Sequence, residues 1–251
     1  MDKINYQLID GDDDMPDNYA KLKIAHQRIL ELSDMLWNWP SATTLTSSSI
    51  GRILHLNNIY QQIHETPGAI CEFGIHFGAS TNVIKQLTHL YEPASAHRDH
   101  FVFDTFQGFV GTRIQDGAKV EDGDFLLEEK YELFLAEILS LHDTILKSPT
   151  KRRRTKIYKG DASETVDIFL DENPEVSVAL LILDMDIYLP TKNVLRALIP
   201  RLTKGSVVVF DEYNHPSYPG ESIALREELG SINVRLRKSK FSPYSAWFVW
   251  E

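Results

Sequence analysis

From residue 69 onward the chain alternates short apolar runs with helical segments, and this alternation constrains the fold more than any other feature. The predicted strands lie at 69–73, 100–104, 156–159, 178–184 and 206–211. Strands that alternate with helices form a mostly parallel sheet with helices on both faces. Two final runs, about 232–238 and 245–250, have no helix between them and predict an antiparallel hairpin at one edge. The sequence therefore predicts an α/β fold with seven strands.

The residues before this pattern predict accessory helices. Apolar side chains recur near helical spacing in two series, and residues 66–68, Thr-Pro-Gly, end the second one. We expect an N-terminal helical extension over 1–68 that covers an open sheet edge or serves as a lid or oligomerisation element. A single α/β domain then occupies 69–251, and a homo-oligomer is possible.

Composition narrows the class of function. Lys and Arg total 26 against 36 Asp and Glu, a net charge of −10 that repels phosphate backbones, so no nucleic-acid partner is expected. The longest strongly apolar stretch, Val178–Leu183, is far shorter than the ~20 residues of a membrane helix, so no membrane partner is expected. The single cysteine excludes an internal disulfide framework, and the first residues contain no apolar segment typical of a secretory signal. We expect a cytoplasmic protein.

Acidic residues follow the predicted parallel strands, where ligands of open α/β sheets bind. The first strand leads into a loop with Gly74 and Gly78, whose spacing is neither a dinucleotide fingerprint nor a phosphate loop. Asp104 ends the second strand, where a carboxylate can accept both ribose hydroxyls of a nucleoside cofactor. Asp161, after the third strand, either caps the following helix or contacts adenine, and the sequence leaves both possibilities open.

The strongest cluster contains Asp184, Asp186, Asp211 and Glu212, which follow two apolar strands. If these strands are neighbours, the carboxylates converge and repel each other unless a cation neutralises them. Oxygen ligands of this kind select Mg²⁺ or a similar ion. Asp186 lies two residues beyond Asp184, where it could accept a proton from a substrate hydroxyl as a general base.

These motifs together resemble the macrocin O-methyltransferase family, whose members are S-adenosylmethionine-dependent and methylate sugar hydroxyls with Mg²⁺. The resemblance covers about residues 69–229 and rests on an ordered set of segments: 72–80, 103–108, 159–161, 183–191, 200–202 and 210–213. The segment 214–221 is similar to the deoxysugar 3-O-methyltransferase branch. The resemblance implies a Rossmann-like class I methyltransferase fold, with a mostly parallel sheet and a C-terminal antiparallel hairpin.

The resemblance also implies roles for individual residues. The S-adenosylmethionine site would contain Glu72, Gly74, Gly78, Ser80, Asp104, Thr105, Phe106, Gly160, Asp161 and Ala162. Asp184, Asp211 and Glu212 would hold the metal and Asp186 would be the base. The substrate site would contain Gln107, Tyr188, Asn214 and His215. Two residues depart from the family pattern: Glu212 stands where many members have Asp, and Gln107 replaces a frequent acid.

The leading functional hypothesis is therefore methyl transfer to the hydroxyl of a small-molecule sugar, either nucleotide-linked or part of a glycosylated natural product. A metal-dependent methyltransferase of a catechol or another vicinal diol is an alternative, because the same carboxylates would suit it. An NAD-dependent oxidoreductase and a non-catalytic cofactor-binding scaffold are alternatives from other classes. The missing third glycine and the acidic cluster disfavour the oxidoreductase.

Overall fold

The computed structural model describes residues 15–32, 40–92, 98–145, 155–230 and 234–251. The chain divides into two compact units, Met1–Gly51 and Arg52–Glu251. In the first unit, helix α1 (Met15–Leu32) precedes a 3₁₀ turn, Pro40–Thr44, and His26 Nδ1 lies 2.6 Å from Thr44 Oγ1. The lid or oligomerisation role of residues 1–68 stays a prediction.

A seven-stranded sheet forms the centre of the second unit. Its strands are β1 (Ala69–Phe73), β2 (His100–Asp104), β3 (Thr155–Lys159), β4 (Val178–Leu183), β5 (Leu202–Phe210), β6 (Arg237–Lys238) and β7 (Ala246–Val249). The spatial order is β3-β2-β1-β4-β5-β7-β6, in which the first five strands are parallel and β7 is antiparallel to both of its neighbours. This confirms the predicted fold, including the hairpin, although 231–233 lie outside the described residues.

The helices that pack on this sheet come from sequence between and before the strands. They are α2 (Ser47–Gln62), α3 (Ala79–Tyr91), α4 (Tyr131–Ile145), α5 (Ala162–Glu172), α6 (Tyr188–Leu198) and α7 (Gly220–Leu229). Side chains of β4 alternate between two apolar clusters: Leu181 and Leu183 enter one, and Leu180 and Ile182 enter the other. Both faces of the strand are thus buried, as expected for a parallel sheet covered on both sides. Within the described ranges, no helix has the length and apolarity needed to cross a membrane.

Several element boundaries differ from those predicted: β6 begins at Arg237 rather than at about residue 232, and two further elements begin earlier than predicted. Helix α6 begins at Tyr188 rather than at Pro190, because the backbone N–H of Tyr188 finds an acceptor in the carboxylate of Asp116. Strand β5 begins at Leu202 rather than at residue 206, because Leu202 already pairs with Val178 before a register shift in the ladder. The early beginnings of α6 and β5 both depend on partners that are distant in the sequence.

Candidate active site at the carboxyl ends of the parallel strands

The strand order reverses between β1 and β4, so their carboxyl ends form the crevice where α/β proteins bind ligands. The loop after β1 crosses the loop after β4 at Gly74, which has a φ of 82°. A Cβ atom at this position would lie 1.9 Å from the backbone oxygen of Asp184. At Gly78, φ is 76° and a Cβ atom would lie 2.5 Å from Leu135 Cδ1. Both predicted glycines therefore permit a close approach that a side chain would prevent.

Asp104 ties the loop after β1 to the loop after β2. Its Oδ2 accepts the backbone N–H of His76 at 2.8 Å, and its Oδ1 accepts that of Phe106 at 2.6 Å. Burial raises the pKa of Asp104, and the two backbone hydrogen bonds oppose this shift. Each carboxylate oxygen keeps a second lone pair with which it could accept a ligand hydroxyl.

Glu72, the residue before the last one of β1, is fully buried. Its Oε2 accepts the hydroxyl of Thr81 at 2.7 Å and lies 3.2 Å from His100 Nε2. Burial would raise its pKa, but His100 and the hydroxyls of Ser80 and Thr81 lower it. Glu72 Oε1 is buried and has no hydrogen-bond partner among the described residues. The predicted residues Glu72 and Ser80 are thus together, with one acceptor atom available.

Two predicted cofactor residues after β2 shape the loop through their own contacts. The hydroxyl of Thr105 donates to Gly108 O at 2.7 Å and accepts the backbone N–H of Gln107 at 3.0 Å. The side chain of Phe106 is buried in an apolar cluster with Ile75 and Leu135. A direct ligand contact from this loop would therefore come from its backbone or from the exposed Gln107 rather than from the phenyl ring of Phe106.

The residues after β3 form the beginning of α5. Asp161 Oδ1 accepts the backbone N–H of Ser163 at 2.8 Å, so the N-cap that the sequence left open is present. Gly160 has a φ of 141°, and Ala162 is buried in the core. The cap uses one oxygen of Asp161, and a contact with adenine stays a prediction.

An arginine joins the acidic residues that follow β4 and β5. Arg52 of α2 donates through Nη2 to Asp184 Oδ2 at 2.6 Å and through Nη1 to Asp211 Oδ1. The hydroxyl of Ser245 donates to the same Asp211 oxygen at 2.7 Å. Asp184 and Asp211 are therefore neighbours, as predicted, whereas the arginine between them was not predicted. The sequence offers no local signal for it, because 132 and 159 residues separate the partners.

The cluster of Asp184, Asp186, Asp211 and Glu212 contains four carboxyl groups, and Arg52 supplies one positive charge. Burial and the charge of Asp211 raise the pKa of Asp184 well above its usual value, whereas Arg52 keeps the pKa of Asp211 low despite burial. Burial and the carboxylates of Glu212 and Asp211 raise the pKa of Asp186. Burial, Asp211 and Asp184 raise the pKa of Glu212 to about 8. Additional positive charge would stabilise the ionised form of these groups.

The acidic cluster contains oxygen donors that suit a divalent cation, although the described side chains are not arranged as a complete site. Among the described residues, no group of three or more His, Cys, Asp and Glu side chains is already arranged as a metal site. Asp184 and Asp211 are nevertheless close enough for one guanidinium to bridge them, and Glu212 Oε2 is buried without a hydrogen-bond partner in the described part of the chain. Hard oxygen donors and excess negative charge suit Mg²⁺, so the donor chemistry fits.

Glu221, at the beginning of α7, joins the backbones of both acidic loops. Its Oε1 accepts the N–H groups of Met185 at 3.2 Å and Asp186 at 3.1 Å, and its Oε2 accepts that of Glu212 at 3.1 Å. Glu221 is fully buried. The sequence comparison included this residue in a motif but did not assign it a role. It positions Asp186, whose φ is 63°, and Glu212 relative to each other.

Replacing Glu221 with glutamine should lower kcat by ~10–100-fold, because small displacements of reacting groups are costly. The amide NH₂ would face at least one of the three backbone N–H donors, and this buried donor would lose its acceptor. Steady-state kinetics and thermal unfolding measure the effect. The control is Glu227→Gln on the same helix, whose partner Lys192 lies in a more exposed ion pair. Equal kcat values for the two variants would contradict the positioning role.

Two predicted substrate residues lie near this cluster. His215 Nδ1 accepts the backbone N–H of Ser217 at 3.1 Å, so the proton of the neutral ring is on Nε2, which lies 3.7 Å from Glu212 Oε2. Burial lowers the pKa of His215. The imidazole ring packs against Tyr218 and Tyr244, at centroid distances of 5.1 and 4.2 Å. Asn214 is exposed beside it.

The hydrogen bonds of the Tyr188 side chain do not support the predicted contact between this residue and the substrate. Its hydroxyl donates to Glu227 and is 2.8 Å from Lys192 Nζ, so it belongs to the interface of α6 and α7. The backbone N–H of Tyr188 contributes to the site in another way, because it donates a hydrogen bond to Asp116 Oδ1. Asp116 also accepts the N–H of Arg113 at 2.6 Å, and it thereby anchors the long segment between β2 and α4 to the beginning of α6.

The chain is similar to one protein family and to several solved structures. The model of a family described as macrocin-O-methyltransferase (TylF) matches residues 18–226. A crystal structure of CalS11, a calicheamicin methyltransferase, has 31% sequence identity and a TM-score of 0.87, with 96% of this chain and 95% of that chain covered. An apo structure of CalS11, described as a TDP-rhamnose 3'-O-methyltransferase of calicheamicin biosynthesis, has 30% identity and a TM-score of 0.81, and 97% of each chain is covered.

A more distant structure, the O-methyltransferase NovP, shares the fold at 17% identity and a TM-score of 0.60, with 80% of this chain and 79% of that chain covered. No curated protein matches the sequence. The family resemblance predicted from the strand-end motifs is confirmed. The alternatives of an NAD-dependent oxidoreductase and a non-catalytic scaffold are not supported.

Proposed function

Since this chain belongs to the macrocin O-methyltransferase family, we propose that it methylates a sugar hydroxyl with S-adenosylmethionine and with the help of a divalent cation. The chain is an O-methyltransferase by its family, and the proposal concerns the acceptor and the cation. One observation carries it: four carboxylates converge beside the β1–β4 crevice, two of them bridged by an arginine.

The residues around the crevice support a site for S-adenosylmethionine. When bound, this cofactor supplies an electrophilic methyl group on a sulfonium sulfur. Because Gly74 and Gly78 have no side chains, a ligand could approach the backbone of the loop after β1 closely. The carboxylate of Asp104 could accept hydrogen bonds from ribose hydroxyls. Glu72 Oε1, which has no partner among the described residues, is a suitable acceptor for the amino group of the methionine part. Asp161 would face the adenine.

The acidic cluster supports a cation site. Asp184 and Asp211 would hold the cation, and Glu212 would supply a third oxygen. When bound, a divalent cation serves as a Lewis acid and as a template for two vicinal oxygens. Asp186, held by Glu221 at its backbone, would accept the proton of the reacting hydroxyl. In the protein without a cation, burial and the carboxylates of Glu212 and Asp211 raise the pKa of Asp186.

The relatives support a sugar as the acceptor. CalS11, which is 30% identical over 97% of the chain, is described as acting on TDP-rhamnose, a nucleotide-linked deoxysugar. Beside the acidic cluster, His215, Tyr218 and Tyr244 form an aromatic surface that could pack against a sugar ring. Gln107, in the loop after β2, and Asn214, in the loop after β5, are exposed and could donate hydrogen bonds to the hydroxyls of the sugar.

The proposal is tested by binding and turnover together. Thermal shift with S-adenosylhomocysteine, with and without Mg²⁺, should show stabilisation of ~2.7 kcal/mol at 100 times the Kd. Methyl transfer is then compared between a nucleotide-linked deoxysugar and a catechol, each with Mg²⁺ or with a chelator. Transfer to the catechol alone would refute the sugar acceptor. Full activity in the chelator would refute the cation.

Replacing Asp104 with alanine should weaken cofactor binding by ~1–3 kcal/mol, about 5- to 150-fold in Kd. The variant loses the ribose acceptor and also the backbone anchors of His76 and Phe106. Calorimetry with S-adenosylhomocysteine measures the change. Asp104→Asn is the graded comparison, because it keeps one acceptor oxygen and should be affected less. Unchanged affinity in a folded Asp104→Ala protein would remove Asp104 from the cofactor site.

A further inference from the structure

We propose that Arg52 is the resident counter-ion of the acidic cluster and that a divalent cation binds by displacing it. The inference rests on the proposed cation dependence and adds a residue that no strand-end motif contains. The guanidinium of Arg52 bonds Asp184 Oδ2 and Asp211 Oδ1 at the same time. These are carboxylates of the two residues that would hold the cation.

Arg52 and a divalent cation cannot bind Asp184 and Asp211 at the same time, for geometric and electrostatic reasons. A cation held by Asp184 and Asp211 would compete for carboxylate oxygens to which Nη1 and Nη2 of Arg52 now donate. It would also bring two positive charges within a few ångströms of each other, in a site where neighbouring groups are buried. Arg52 must therefore leave these oxygens when the cation arrives.

The surroundings allow the side chain to leave while its helix stays in place. The side chain of Arg52 is 30% exposed, so it has a route to solvent. One turn later on α2, His55 is buried and its Nδ1 lies 3.0 Å from Ser239 Oγ, while Leu56 is buried in the core. The helix is thus anchored beyond Arg52. Ser245 keeps its hydrogen bond to Asp211, so this carboxylate does not lose its position when Arg52 departs.

If the cation displaces Arg52, removal of this arginine should have opposite effects on the cation-free and the cation-bound protein. Without a cation, loss of Arg52 leaves the partly buried carboxylates of Asp184 and Asp211 without a positively charged partner, so the free protein should be less stable. With a cation, the carboxylates are paired in either case. A variant without the guanidinium should therefore bind the cation more tightly and gain more thermal stability from it.

The experiment is calorimetric titration of Mg²⁺ into the full chain without cofactor or acceptor. Arg52→Gln removes the charge. Arg52→Lys keeps the charge but loses the two-pronged contact, so it gives a folded comparison if the glutamine variant is unstable. The control is Arg196→Gln, whose partner Glu228 lies in an exposed ion pair between α6 and α7. Thermal unfolding of all four proteins, with and without Mg²⁺, accompanies the titration.

Arg52→Gln should bind Mg²⁺ at least ~10-fold more tightly than the unmodified protein, because the competing charged hydrogen bonds are gone. Arg52→Lys should lie between them, and Arg196→Gln should match the unmodified protein. Equal or weaker Mg²⁺ binding by both Arg52 variants would overturn the displacement while leaving the cation proposal intact. No Mg²⁺ binding by any of the proteins would overturn both.

Discussion

Replacing Asp186 with asparagine should lower kcat by ~10²–10⁴, the usual contribution of a positioned general base. Asparagine keeps the size of the side chain and one acceptor oxygen but cannot accept the proton. The backbone of Asp186 should stay in place, because its N–H donates to Glu221 and not to its own side chain. Cofactor affinity should be nearly unchanged. Turnover at saturating substrates, with S-adenosylhomocysteine binding measured in parallel, tests this result.

Asp184→Asn is the matched control, since it makes the same chemical change two residues earlier. It should weaken Mg²⁺ binding, and excess Mg²⁺ should recover part of its activity. Asp186→Asn should show no such recovery. Full activity of Asp186→Asn, or a loss that added Mg²⁺ cures, would remove this residue from the role of base.

Replacing Gly74 with alanine should destabilise the protein by ~3–5 kcal/mol and abolish cofactor binding. A left-handed φ costs a non-glycine residue ~1–3 kcal/mol. The larger part comes from the new Cβ atom, which would lie 1.9 Å from the backbone oxygen of Asp184. No rotation of a side chain relieves an overlap with backbone, so the loops after β1 and β4 must separate. Urea unfolding measures the change in the free energy of unfolding.

Gly111→Ala separates the two costs. Gly111 has a φ of 75°, close to the 82° of Gly74, but a Cβ atom there would meet nothing within 4 Å. Its alanine variant should therefore lose only ~1–3 kcal/mol from the backbone conformation. Equal losses in the free energy of unfolding for the two variants would contradict the close approach of the loops after β1 and β4 at Gly74.

The sequence predicted the parts of the site that belong to single strands and their ends. The apolar runs before Asp104, Asp184 and Asp211 are continuous, so the strands and their terminal acids could be located from local pattern alone. The convergence of Asp184 and Asp211 was predicted only on the condition that β4 and β5 are neighbours, and the sheet meets this condition. Both predictions depend on short-range sequence features and on general rules of sheet connectivity.

The parts that sequence reasoning missed are held by contacts between distant segments. Arg52 occurs on a helix that the sequence analysis treated only as an accessory element, and its partners are in a different part of the chain. Glu221 resembles any acid in the first turn of a helix, where such residues are common. Tyr188 follows Asp186 closely in sequence, yet its hydroxyl points to α7. Side-chain direction is decided by packing, which periodicity does not reveal.

The position of β7 in the sheet has a consequence for the synthesis of this enzyme. Strand β5 receives its second neighbour, and Asp211 its hydroxyl donor Ser245, only after the ribosome has added the residues through Val249. Until then, a nascent chain that has folded β1–β5 presents the apolar edge of β5, with Val207, Val208 and Val209, as a template for other strands. Translation at ~5–20 residues per second leaves this edge open for seconds.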